Sequence, residues 1–371
     1  KREWQAYYNE PWQAQHESPE ATYRSAKLKY FLYFRALKEI FHFAKEYSES
    51  KGKLVRCYVP THTLLNYSMW QIVSPESSLA DLPGMDGYIG QVWTGTARTP
   101  VFYNGVEKER TFENAFLEYG SMAAMTQSTG RRVYFLTDPI EDNPNHTWED
   151  YKKNYEATFT AQILYPGVAH YEVMPWPSRI FLGKYQVEGT TERQGIPPDY
   201  ATEILILINA LNDMEICDTQ IEGTQGIGVL QSDTMMFQRF PTHAGYEDPG
   251  LSNFYGMAIP FVKRGIPIRL VQMENLLMPD TLKDLRVLVM SYANMKPLKK
   301  EYHDVLAKWV NEGGHLIYCG SDRDPFQSIR EWWNEDGQIK QSPAEHLFNQ
   351  GLKLDSTGSP ISHVPVGKGT A

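Results

Sequence analysis

The residues best suited to chemistry are the acids of Asp138-Pro139-Ile140-Glu141-Asp142. They follow Arg132-Val133-Tyr134-Phe135-Leu136-Thr137, a run without helical period that reads as a strand buried on both faces. Pro139 stops its hydrogen-bond ladder. In α/β enzymes the C-terminal end of a buried parallel strand is a usual place for catalytic groups. A carboxylate there serves as nucleophile or as general acid/base. Asp138 and Glu141 share one loop, so a working pair is expected to draw its second carboxylate from another strand.

Other strand ends offer binding groups. His62, in Thr61-His62-Thr63, has the chemistry to hydrogen-bond a hydroxyl or orient a carboxylate. Trp93 and Trp176 offer rings for stacking. Gln91, Thr94 and Arg98 are candidates for the floor of a site, with Arg98 able to hold a carboxylate ionised. Glu172 sits inside a strand and is expected to face the interior near Asp138. No phosphate-cradling glycine loop, metal-ligand spacing or cofactor motif stands out, so no cofactor and no metal are expected.

The elements that position these groups alternate. Ser18-Pro19-Glu20 opens a long helix that Gly52 ends. Strands are expected over 54–59, closed by Pro60, and over 86–93. A helix follows near 107–125, and then the 132–137 strand. Thr147-Trp148-Glu149-Asp150 has the spacing of a capping box and opens another helix. A strand over 169–174 and a helix near 201–212 complete this region. After Gly223, Gly226 and Gly228 a second α/β pattern begins. Its strands are expected over 227–231, 266–271, 287–290 and 315–319, and its helices over 254–264 and 299–311. Two domains follow from this, 1–218 and 222–371, the second doubly wound and flavodoxin-like.

Composition narrows the function classes. The 371 residues carry a formal net charge of −9 and no basic stripe, which argues against nucleic acid as a partner. No apolar run is long enough to span a bilayer, so no membrane partner is expected. The 9 Trp, 23 Tyr and 16 Phe suit sugar-stacking clefts as well as a large core. Cys57, Cys217 and Cys319 are too far apart to suggest a disulfide framework. Cys57 and Cys319 lie in strand-like runs and are expected to be buried thiols. Asn66-Tyr67-Ser68 and Asn145-His146-Thr147 match the glycosylation pattern, which is frequent by chance. Compartment stays open between cytoplasmic and periplasmic or secreted.

Four pieces of the second region carry a family resemblance: Ile227-Gly228-Val229-Leu230, the 262–268 segment, Leu285-Arg286-Val287-Leu288-Val289-Met290, and Trp309-Val310-Asn311-Glu312-Gly313-Gly314-His315-Leu316. Residues 225–335 resemble the trimerisation domain of family 42 β-galactosidases, which has a class I glutamine-amidotransferase-like fold. The first region resembles the later half of the clan A glycoside hydrolase (β/α)8 TIM barrel that precedes that domain. The resemblance makes the 169–174 strand number eight, the Asp138 strand seven, the Trp93 strand six and the Cys57 strand five.

This resemblance implies a retaining β-glycosidase with a carbohydrate substrate. It implies that strand seven carries the nucleophile, on Asp138 where the clan has Glu, with Glu141 the alternative. Asn9-Glu10-Pro11 resembles the clan's acid/base signature after strand four, although Lys1–Tyr8 reads as an amphipathic helix; otherwise the acid lies upstream. A homo-oligomer, dimer or trimer, is implied through the second domain. A second chain carrying the front half of the barrel is a further expected partner. The alternative from another function class is a non-catalytic module that binds glycan or scaffolds an oligomer.

Overall fold

A computed structural model describes the chain except for residues 141–145, 174–175, 216–225, 242–247, 335–341 and 355–362. It opens with α1 (Arg2–Tyr8) and α2 (Pro19–Ser50). Ser18 caps α2 as its sequence predicts, its Oγ accepting from Ala21 N at 3.0 Å. Then come β1 (Tyr58–Thr61), α3 (Thr63–Met69), α4 (Glu76–Ala80), β2 (Gly87–Gln91) and α5 (Thr94–Ala97). A hairpin of β3 (Val101–Tyr103) and β4 (Val106–Lys108) leads into α6 (Thr111–Thr126) and β5 (Arg132–Thr137). The first region continues through α7 (Trp148–Gln162), β6 (Tyr171–Val173), α8 (Pro177–Leu182), β7 (Tyr185–Gln186), β8 (Arg193–Gln194) and α9 (Pro198–Asn212).

Two expectations shift here. The first strand starts at Tyr58, leaving Leu54 and Val55 exposed, and Pro60 lies inside it. Among the described residues β1 is paired on one side only, so the missing N–H of Pro60 breaks no described ladder bond. The helix expected from 107 starts at Thr111, because Asn104 and Gly105 take positive φ (51° and 74°) and turn a hairpin first.

Strands β1, β2, β5 and β6 form one all-parallel sheet in chain order. One face packs on α6. Gly90 permits a close approach there, since a Cβ would sit 1.9 Å from Met122 Sδ and force the methionine to shift. Phe135 points to the same side, its ring 4.5 Å from that of Tyr119 on α6. The register places Ile89 beside Tyr134, and Gln91 beside Leu136 and Glu172, on the opposite face. That face is largely open: Pro60 and Glu172 are exposed and Ile89, Gln91 and Tyr134 half-buried, while Leu136 is buried. Parallel sheets usually bury both faces.

The second region contains β9 (Ile227–Gln231), α10 (Ser252–Val262), β10 (Arg269–Gln272), β11 (Val287–Met290), α11 (Glu301–Asn311), β12 (His315–Tyr318), β13 (Pro365–Val366) and β14 (Gly369–Thr370). Its sheet order is β10-β9-β11-β12-β14-β13, parallel except for β13 against β14. The crossover direction therefore reverses at β9, as in doubly wound sheets. Both regions contribute to one apolar core. Helix α6 lies between the sheets, packed on β2 and β5 on one side and on β10 on the other. Asn275 Nδ2 donates to the carbonyls of Ala124, Met125 and Gln127 at 3.2, 3.0 and 3.2 Å, satisfying the C-terminal end of α6.

The cysteines depart from expectation. Cys57 is half-buried and Cys319 exposed, since β12 leaves one face, with Ile317, uncovered. Cys217 lies outside the described residues.

Candidate active site

Parallel pairing brings the C-terminal ends of β1, β2, β5 and β6 to one edge of the first sheet. His62 follows β1, Trp93 lies just past β2, and Asp138 follows β5. Trp176 stands after β6 and is 63% exposed. Thr94 Oγ1 donates to the Asp138 carbonyl at 2.8 Å, joining the ends of β2 and β5.

The His62 and Trp93 rings meet edge to face, with centroids 4.6 Å apart. Trp70 completes the group, 5.2 Å from His62 and 6.3 Å from Trp93, with Tyr67 6.1 Å from His62. Trp70 is 39% exposed, so its ring borders solvent. His62 Nδ1 and Trp93 Nε1 are buried without a protein partner. Burial also pushes the His62 pKa down, so the ring is neutral at pH 7. Thr63, the next residue, holds φ at +75°. A positive φ is unusual for a β-branched residue and costs on the order of 1–3 kcal/mol. Thr63 N donates to Thr61 Oγ1 at 3.1 Å, and Asn66 Nδ2 to His62 O at 2.8 Å, which hold this turn.

Asp138 is 5% exposed, and its Oδ1 accepts from Ile140 N at 3.2 Å. The phenols of Tyr155 and Tyr200 stand near. Burial raises both, Tyr155 to about 12, and the Asp138 charge adds to each. Tyr200 Oη donates to Pro139 O at 2.9 Å, pinning the backbone beside Asp138. Glu141 lies outside the described residues.

Arg98 is buried and reaches Asp150 at 2.6 Å and Glu109 at 3.2 and 3.3 Å. It thus ties the first turn of α7 to the segment before α6. Gln91 ends β2 on the open face. Glu172 is exposed on that same face rather than enclosed. Glu10 accepts from Arg24 at 2.8 Å and from Arg330 at 3.1 and 3.0 Å. The Arg24 hydrogen bond, with Arg330 adding, holds its carboxyl below the usual range. That environment favours a carboxylate over a proton-carrying acid.

Trp70, Asn66, Tyr155 and Tyr200 are missed by sequence reasoning. Trp70 had one local cue, an aromatic residue at the end of the short helix after a strand. The others are recruited from elsewhere in the chain. The Asn66 glycosylation match fails sterically, since Asn66 is fully buried. In the second region the Cys319 thiol is pushed up by desolvation, which disfavours a thiolate nucleophile. Among the described residues no group of three or more His, Cys, Asp or Glu side chains is placed to hold a metal. No described helix is long and apolar enough to cross a membrane.

No protein-family model matches the sequence. No curated protein matches it either. Solved structures do. A β-galactosidase from Bacillus circulans sp. alkalophilus matches with a TM-score of 0.51 at 10% identity, over 84% of this chain and 42% of that one. A β-galactosidase from the Antarctic haloarchaeon Halorubrum lacusprofundi matches with a TM-score of 0.52 at 11% identity, over 93% of this chain and 50% of that one. The chain spans about half the length of these structures and is similar to them in fold.

Proposed function

We propose that the chain forms the later half of a (β/α)8 glycoside hydrolase barrel, joined to an amidotransferase-like assembly domain, and that the barrel hydrolyses β-glycosidic bonds with retention. The observation that carries this reading is the convergence of His62, Trp93 and Asp138 at the C-terminal edge of consecutive parallel strands. The fold likeness to β-galactosidases supports it. So does the strained Thr63, since strain gathers at functional sites.

Four further β/α units complete the barrel in this proposal, from the same polypeptide or a partner chain. Three observations support them. The inner sheet face is largely open. Among the described residues, strands β1 and β6 are each paired on one side only. Helices α2 and α9 also expose apolar side chains: Tyr33, Ile40, Phe43 and Tyr47 on α2, and Leu205 and Ile206 on α9.

In the proposed mechanism Asp138 attacks the anomeric carbon while a carboxylic acid protonates the departing oxygen. Water then cleaves the glycosyl ester, with that second group now acting as base. Retention places the two carboxyls ~5–5.5 Å apart. Trp70, Trp93 and Trp176 stack on sugar faces, and His62 and Gln91 bond hydroxyls. Arg98 braces the loop rather than the sugar. The second carboxyl belongs to a strand of the front half, since Glu10 is committed to two arginines. The second region, from about 222 onward, assembles the protein into a dimer or trimer.

Incubating the completed barrel with an activated 2-fluoro glycoside tests the reading. Intact and peptide mass spectrometry should show one sugar bound covalently to Asp138. An adduct on another carboxylate would refute the assignment. One observation favours a second reading, glycan binding without turnover: the Asp138 carboxylate is almost enclosed. Sugar binding by calorimetry with no adduct and no product would establish it.

A further inference from the structure

Glu118 is the acid that the mechanism above leaves unused. It sits in the middle of α6 and is fully buried. Its Oε2 lies 3.3 Å from Thr96 Oγ1, whose single hydrogen is donated to the Trp93 carbonyl at 2.9 Å. On its other side lies the Asn66 carboxamide, whose Nδ2 holds the His62 carbonyl. Glu118 therefore touches the partners of both turns that present the aromatic rings.

Two atoms of this group lack partners. Glu118 Oε1 and Asn66 Oδ1 are both buried acceptors without a hydrogen bond. An ionised Glu118 leaves its charged Oε1 buried and unsatisfied. Thr96 Oγ1 has one hydrogen and gives it to the Trp93 carbonyl, so a proton on Glu118 Oε2, donated to Thr96 Oγ1, completes the contact.

We propose that Glu118, in its protonated form, is the positioning residue that locks the His62 turn to the Trp93 turn. Its value to function rests on reading His62 and Trp93 as sugar-binding groups; the lock itself does not.

The surroundings agree. Burial raises the Glu118 carboxyl to about 8, against the smaller opposing pull of Asn66 and Thr96. The phenols of Tyr255 on α10 and Tyr119 on α6 face it, both raised by burial and, in part, by its charge. From α3 the neighbouring titratable group is the neutral His62. From α5, Arg98 is turned to Asp150 and Glu109. From α4, Glu76 is turned to Thr61 and Ser74. Asp138 follows β5, and α7 contributes Tyr155, whose neighbours are Thr137 and Asp138. No ion pair involves Glu118 among the described residues. As a group raised in the fold, it contributes fully below its ordinary value, and the contribution is lost as pH rises through about 8.

Infrared spectroscopy and near-ultraviolet dichroism of the chain test the proposal without any sugar. The wild-type minus Glu118→Gln spectrum should contain a protonated-acid carbonyl band that titrates away with a midpoint near 8. Wild-type dichroism from the tryptophans should change over the same range. Glu118→Gln, which keeps a neutral side chain of the same shape, should hold its dichroism constant from about pH 6 to about pH 9. Absence of the band, or the same pH dependence in both proteins, would overturn the proposal. Should the variant not fold, the wild-type titration decides alone: dichroism flat across that range refutes the lock. Failure of the hydrolase reading would leave these results unchanged.

Discussion

Thr94 Oγ1 donates to the main-chain carbonyl of Asp138 at 2.8 Å, so the end of one strand holds the acid of the next in place. Both groups are buried. Thr94→Val keeps the shape and leaves that carbonyl with one partner fewer. The expected cost is roughly 1–3 kcal/mol, because a buried acceptor loses its donor. Urea denaturation measures it, and a change within experimental error would show that the tie contributes nothing.

The aromatic group should carry sugar affinity in the proposed function. Trp70→Ala removes a solvent-bordering ring and should weaken glycan binding about tenfold, roughly 1.4 kcal/mol. Trp93→Ala should weaken it at least as much. Calorimetry reads both, and unchanged affinity in the two variants would move the sugar site elsewhere.

Three acids lie buried where the two regions meet. Asp233 accepts from Tyr30 Oη at 2.6 Å and from Ser77 N and Oγ at 2.8 and 2.7 Å. Glu274 accepts from Ser232 Oγ at 2.6 Å. Glu76 accepts from Thr61 Oγ1 at 2.5 Å. Burial raises all three carboxyls, Glu76 to about 7. The fold therefore binds protons that the unfolded chain releases. For Glu76 the contribution is complete below its ordinary 4.5 and is lost as pH rises to about 7. Each such acid gives a slope of about 1.4 kcal/mol per pH unit between its two values. Denaturation at a series of pH values should show falling stability through this range, with a shallower fall in Glu76→Gln. Rising stability would contradict the assignment.

Lys296 and Asp324 form a buried pair at 3.2 Å, with the ammonium completely enclosed. Asp324→Asn leaves that charge without its partner and should cost roughly 3–5 kcal/mol. Replacing both residues with apolar ones of similar size should recover most of the loss. A single variant as stable as the wild type would show that the ammonium releases its proton instead.

Much of the scaffold is readable along the chain because its causes are local. Arg132–Thr137 is found in place, since an apolar run with no helical period has few other uses. Ser18 and Pro19 mark the start of α2 because capping is decided within four residues. The errors are also physical. Pro60 reads as a strand end but belongs to a strand, since being at an edge is a property of the whole sheet. The helix expected from 107 begins only at Thr111, because Asn104 and Gly105 take positive φ and turn a hairpin first. The candidate site is legible only as strand ends. That His62 meets Trp93, that Arg98 turns to Asp150, and that Glu118 meets partners of both turns depend on packing between distant segments. Glu10 shows the reverse case, a motif-like acid that two arginines claim.

The most direct test is the rate of hydrolysis of aryl β-glycosides by the completed barrel, compared between wild type and Asp138→Asn. Removing the proposed nucleophile should lower kcat at least a thousandfold, about 4 kcal/mol of transition-state stabilisation, with the fold intact. Equal rates in the two proteins would contradict the account.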